Sequence, residues 1–120
     1  MAAADERLRR FLQPDHALHA RRTWQARGAA DTPGADALCE IYLAIADEQI
    51  VEAAFAAYGP PIVVACADWL CEQLGGRTIA VMRGLSEADL QAALALAAEE
   101  RYAGMLVFDA LQDALANLET

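Results

Sequence analysis

The chain has no lysine, two histidines, and three cysteines that fall at unpaired spacings. Each shortage removes a class of function. Nine arginines stand against eighteen carboxylates, a formal net charge of −9. An acidic chain disfavours nucleic acid, which requires a basic footprint. An odd cysteine count without paired spacing argues against a disulfide framework and for a reducing compartment, and no zinc-type cysteine pair is present. Apolar runs are interrupted too often to span a bilayer. The polar start MAAADERLRR carries no secretory signal. A cytoplasmic protein that binds neither nucleic acid nor membrane is therefore expected. No glycine-rich phosphate loop, Ser/His/Asp order or base–nucleophile pairing can be read, so an enzyme is not expected.

What is present is apolar. Hydrophobic residues make up 57% of 120 positions, which predicts one domain over residues 1–120 that buries about two-thirds of its unfolded surface. The organising stretch runs from Ile50 to Gly76: an apolar strand, a Tyr58-Gly59-Pro60-Pro61 corner, then an almost wholly apolar helix. Proline suits a first helical position, where no backbone N–H is needed. The Gly75-Gly76 pair predicts a left-handed C-cap. The corner itself offers no nucleophile, acid or metal ligand. Charge is lopsided: residues 1–27 hold six arginines against three carboxylates, and residues 28–120 hold three against fifteen. The basic segment is expected to dock on the acidic body or on an acidic partner.

In chain order, residues 4–12 predict a short amphipathic helix with Leu8, Phe11 and Leu12 on one side and Arg7, Arg9 and Arg10 largely on the other. Residues 18–25 are weakly strand-like, and residues 26–36 read as a loop, since Gly, Pro and Asp cluster there. From Leu38 the period is two, with Cys39, Ile41, Leu43 and Ile45 on one face. Ile50–Tyr58 follows as its hairpin partner, with Val51, Ala53, Phe55 and Ala57 facing the core. After Gly76 the pattern is helical. Thr78–Arg83 is short, Ser86 with Asp89 caps a second helix, and a third runs from about Glu99 to Leu118. The last one's expected buried stripe is Met105, Phe108, Leu111, Leu115 and Leu118. The fold class is therefore α+β: a short N-terminal helix, a small antiparallel sheet of about three strands with a hairpin over 38–58, and helices on one face. The expected core includes Ile41, Leu43, Phe55, Val63, Ala67, Leu70, Leu111 and Leu115.

That order and its local words resemble the IscU/NifU-type iron–sulfur cluster assembly scaffold. The similarity rests on RRFLQPDH with Pro14, on Ile50-Val51-Glu52-Ala53-Ala54-Phe55-Ala56-Ala57-Tyr58-Gly59, on Gly76-Arg77-Thr78-Ile79, and on Asp109-Ala110-Leu111-Gln112-Asp113-Ala114. It implies a SufE/NifU-like fold and a place in iron–sulfur cluster assembly. The family's ligand positions, carried over, fall on Gly34 or Ala35, on Pro60, and on Tyr102-Ala103; Asp36 retains an acidic loop residue. The segment that a co-chaperone reads in the family falls on Leu96-Ala97-Ala98-Glu99-Glu100.

A cluster or zinc site needs thiolates or neutral imidazoles, and Gly, Ala, Pro and Tyr supply neither. Cys66 and Cys71, five apart on a helix, lie about 140° apart around its axis. Cys39 alternates with Ile41 and Leu43. All three read as core. His16 and His19, with Asp15, and with Asp36 or Asp31 to complete the set, form the remaining ligand candidates, suited to zinc or iron. Asp109 and Asp113 read as a solvated face. The expectation is a non-catalytic, cluster-less homologue that binds or regulates, with no cofactor. The resemblance implies a protein partner: a cysteine desulfurase, another assembly component, or a second copy in a homodimer. Arg7, Arg9, Arg10, Tyr58, Pro60 and Pro61 are the expected contact residues. The alternative is a metal or 2Fe-2S carrier that uses His16, His19, Asp36 and one cysteine.

Overall fold

The alternation that begins at Leu38 produces a hairpin. In the computed structural model, which describes residues 3–118, β2 (Ala37–Ala46) and β3 (Gln49–Tyr58) pair antiparallel, with Ile41 opposite Phe55 and Leu43 opposite Ala53. Asp47 and Glu48 join them at φ +53° and +64°, the left-handed pair of a type I′ turn, whose twist matches that of the strands. A register shift between Ala44 and Ile45 changes the inward face near the turn. Ile50 takes the core position and Val51 is exposed, contrary to the expectation for Val51.

The third strand is β1 (Ala26–Thr32), antiparallel to β2 on the side away from β3. It overturns the expected loop over 26–36, and residues 18–25 form no strand. The reason is α5 (Arg101–Leu118), which lies directly on β1. A Cβ at Gly28 would collide with the backbone of Ala110 and Ala114. So close an approach selects small residues and erases the apolar alternation that marks a strand. Polar contacts complete the seam: Ala29 N–H donates to Asp113 Oδ2 (2.9 Å) and Asn117 Nδ2 donates to the Arg27 carbonyl (2.6 Å).

The free edge of β3 is covered. Leu18 N–H donates to the Phe55 carbonyl and Phe55 N–H to the His16 carbonyl, a one-residue parallel bridge at Ala17. At the other end of the strand, Ile50 N–H donates to the Arg77 carbonyl. Edges sealed this way do not recruit further strands.

The helix α2 (Pro61–Leu74) packs against the sheet, α1 (Ala3–Leu12), α4 (Glu87–Leu94) and α5, so ten of its residues are buried, as an all-round apolar helix requires. Pro61 opens it at the expected position. At its end Gly75 has φ −59° and only Gly76 is left-handed (φ +84°), so the glycine pair divides the turn instead of forming one cap. The short α3 (Ile79–Met82) follows Thr78, and α4 begins with a capping box between Ser86 and Asp89. On α5, Phe108, Leu111 and Leu115 are buried and Leu118 partly so, but Met105 faces solvent. All eight expected core residues are buried.

The helix α1 is rolled the opposite way from its amphipathic pattern. Leu8 and Leu12 are 56% and 63% exposed and Phe11 is also exposed, whereas Arg10 is 2% exposed. The Arg10 guanidinium is held by Asp68 of α2 at 2.7 Å, by Glu72 at 2.9 Å and by Glu6 at 2.7 Å. Asp68 is completely buried, and its other oxygen accepts the His16 N–H at 3.0 Å. A carboxylate inside an apolar helix must be neutralised. Arg10 does so, and this turns the apolar side of α1 outward.

Candidate functional site

β3 ends at Tyr58, and Leu38 of β2 pairs with it. That register sets Ala37 against Gly59, whose φ is +134° and where a Cβ would press on the Ala37 side chain. Just before Ala37, Pro33–Ala35 forms a 3-10 turn and Asp36 adopts φ +50°, a conformation that Asp tolerates. The sheet thus brings residues 34–36 beside the corner. A shallow cavity of about 480 Å³ lies between them, lined by Asp36, Ala57, Tyr58, Gly59, Pro60 and Val64. Tyr58, Pro60 and Pro61 are exposed. Gly34 is exposed with open space around it; the side chain of Ala35 lies outside the described residues. At the start of α5, Ala103 is buried and Tyr102 is half-buried. Burial pushes the Tyr102 hydroxyl pKa up, and Cys66 and Glu100 nearby add to it.

The donors at these positions do not fit a thiolate-held cluster. Gly34, Pro60 and Ala103 have no donor side chain, leaving the Asp36 carboxylate and the Tyr102 phenol. The three thiols are elsewhere, all in the core. Burial pushes Cys39 up to about 12, helped by Cys66 and Glu40. Cys66 also rises to about 12, chiefly through burial, and Cys71 rises well above the ordinary 9.0. A thiol ligates and reacts as the thiolate, and burial disfavours that form here.

The histidines go to different tasks. His19 Nδ1 accepts the Arg21 N–H (3.2 Å), so the ring proton sits on Nε2 and is donated to Glu52 Oε2 at 2.5 Å. Both ring nitrogens are therefore engaged. His19 lowers the Glu52 pKa, and the nearby arginines assist. His16 contributes its backbone to Asp68 and Phe55. Among the described residues, no group of three or more His, Cys, Asp or Glu could hold a metal ion. The set of His16, His19 and Asp36 is not brought together. Asp109 is exposed, and Asp113 is bonded to Ala29.

The arginines expected at a partner surface are occupied within the chain. Arg7 pairs with Glu100, Arg9 with Glu6 and Asp15, and Arg10 with the buried cluster just described. The basic segment docks on the acidic body, the first of the two expectations for it, and Arg10 is corrected from a surface residue to a buried one. Sequence reasoning missed the Arg10–Asp68 pair although its signal was available. A lone Asp in IVVACADWLC requires a cationic partner. The exposed surface instead holds apolar groups: Leu8 and Phe11 of α1, with Ala4, Arg7, Pro61, Ile62 and Ala65, line a groove of about 470 Å³ adjoining the corner.

The NifU-like N terminal domain family matches residues 3–120. No curated protein matches the chain. Among solved structures, one described as an iron–sulfur cluster assembly scaffold for the SUF system (FiSufU), from Fervidobacterium islandicum AW-1, superimposes with a TM-score of 0.77 at 12% identity, covering 92% of this chain and 94% of that one. The N-terminal part of a nitrogen-fixing NifU-like protein from Brucella abortus gives 0.73 at 12% identity, with 98% of both chains covered. A hypothetical protein gives 0.72 at 17% identity, covering 95% of this chain and 96% of that one. At such identities the likeness is one of fold.

Proposed function

This chain belongs to the NifU-like N-terminal domain family, and on that premise we propose that it is a cluster-less, non-catalytic binding module connected with iron–sulfur cluster assembly. It keeps a scaffold's shape and an exposed docking corner, and it engages another component of the assembly machinery. The observation that carries this reading is the placement of its thiols. Cys39, Cys66 and Cys71 are all buried in the core, away from the corner, and burial raises all three thiols, which disfavours the thiolate. The corner where ligands would converge presents Pro60, Gly59 and Asp36 instead.

The test is anaerobic reconstitution with ferrous iron and sulfide, followed by desalting. The expected result is a colourless protein that retains no iron or sulfide. Visible absorbance with stoichiometric iron and sulfide after desalting would overturn the reading and establish a carrier.

A further inference from the structure

Resting on that reading, we infer that the groove between α1 and the first turn of α2 receives an amphipathic helix of a different protein, one whose apolar stripe is flanked by basic residues. The groove's apolar character follows from the roll of α1. Rotating α1 to hide Leu8, Phe11 and Leu12 would withdraw Arg10 from Asp68, leaving a fully buried carboxylate without its cation. These apolar groups are therefore fixed outward by chemistry on the other side of the helix. Ala4, Arg7, Leu8 and Phe11 of α1 form one wall, and Pro61, Ile62 and Ala65 of α2 form the other. The spacing i, i+3, i+4, i+7 along α1 makes a straight wall about 10 Å long, enough for about two turns of an incoming helix.

Rigidity favours this groove as a receptor. Pro60 and Pro61 restrict the backbone at its end, so little conformational freedom is lost on docking.

Charge selects the occupant. Arg7, the one charged residue lining the groove, is paired with Glu100, and with the buried Arg10–Asp68 pair set aside, Arg7, Arg9 and the exposed Arg101 are still outnumbered by Glu6, Asp15, Glu72 and Glu100. Asp5, Asp36 and Glu99 add exposed carboxylates on α1, beside the corner and next to the Arg7–Glu100 pair. A second copy of the chain would bring a charge of −9 against −9. A basic helix is attracted by the same field, with an association rate that falls as salt rises.

The experiment titrates the protein into two fluorescein-labelled amphipathic peptides of about 14 residues, one of Leu and Lys and one of Leu and Glu, read by anisotropy at low and moderate salt. The expected result is binding of the Leu/Lys peptide only. Leu8→Glu/Phe11→Glu should weaken it by at least about tenfold. Val51→Glu/Val81→Glu, which places equal charge on exposed apolar residues elsewhere, should leave it unchanged. Equal binding by both double variants, or binding of the Leu/Glu peptide, would overturn the inference. Sedimentation as a dimer that Leu8→Glu/Phe11→Glu dissociates would give the groove to a second copy and overturn it too. A cluster retained on reconstitution would remove the binding-module reading without altering this titration. An unresponsive titration removes the groove and leaves that reading standing.

Discussion

The roll of α1 makes a sharp thermodynamic prediction. Arg10→Met would leave the Asp68 carboxylate fully buried with one remaining donor, the His16 N–H. Removing one member of a buried ion pair typically costs about 3–5 kcal/mol, because the surviving charge stays desolvated. Asp68→Leu should fall nearer about 3 kcal/mol, since Arg10 keeps Glu72 at 2.9 Å and Glu6 at 2.7 Å, near the surface. The double variant Arg10→Met/Asp68→Leu removes both charges and fills the space with apolar atoms. It should lie within about 1 kcal/mol of wild type or be more stable. Urea denaturation reads all three: with a slope of about 2 kcal/mol/M, the single variants should lose about 1.5–2.5 M in midpoint and the double variant should recover it. Leu8→Ala and Leu12→Ala, on the exposed side, should stay within about 0.5 kcal/mol of wild type. Single-variant losses under about 1 kcal/mol, or losses above about 2 kcal/mol at Leu8 and Leu12, would refute this orientation of the helix.

Phe55, buried opposite Ile41, should lose about 3–5 kcal/mol on Phe55→Ala, seen as a lowered denaturation midpoint; an unchanged midpoint would contradict the register. Gly28→Ala drives a methyl group into the α5 backbone and should destabilise by at least the upper part of about 1–3 kcal/mol, read by thermal melting, because backbone cannot step aside as a flexible side chain can. Acid should weaken the fold through Glu6 and Glu52, both lowered from the ordinary 4.5. At Glu52 the cause is chiefly the His19 hydrogen bond; at Glu6, burial raises the value but Arg9 and Arg10 outweigh it. A lowered carboxylate contributes stability that is present above its unfolded pKa and lost as pH falls through the folded value. Urea midpoints should therefore drop between about pH 5 and pH 3, more in wild type than in Glu52→Gln; parallel pH profiles for the two proteins would remove Glu52 from the account.

How much of the fold could be read depended on whether local pattern or long-range packing decided each element. The β2–β3 hairpin and α2 carry strong periods or a proline boundary, and they appear where the pattern puts them. β1 carries neither. Its ARGAADT sequence is what remains when a helix lies on a strand so closely that Gly28 has no room for a methyl group, and that constraint comes from Ala110 and Ala114, more than eighty residues away. Val51 failed for a different reason. The irregularity at Ala44/Ile45 reverses the inward face beyond it, and nothing in an alternating run marks where the alternation slips.

The corner was legible as a donor-poor stretch because Tyr58 to Pro61 is contiguous. Its juxtaposition with Asp36 was not, since it needs the pairing of Leu38 with Tyr58. The thiols were legible one by one: Cys39 shares the period of Ile41 and Leu43, and Cys66 and Cys71 sit on a helix that is apolar all round. The face of α1 is the instructive failure. Amphipathicity says that a helix has two sides; which side goes in depends on what waits there. On α2 it is Asp68, whose burial demands a cation and draws Arg10 inward. The same pair that anchors the helix therefore leaves Leu8, Phe11 and Leu12 outside. In Arg10→Met/Asp68→Leu the apolar pair fills the same buried space and should hold α1 in this roll. The Leu/Lys peptide should therefore bind that double variant as tightly as wild type, since both groove walls are unmutated. Clearly weaker binding by a variant that is as stable as wild type would show that the face of α1 is not held by the packing of position 10 against position 68.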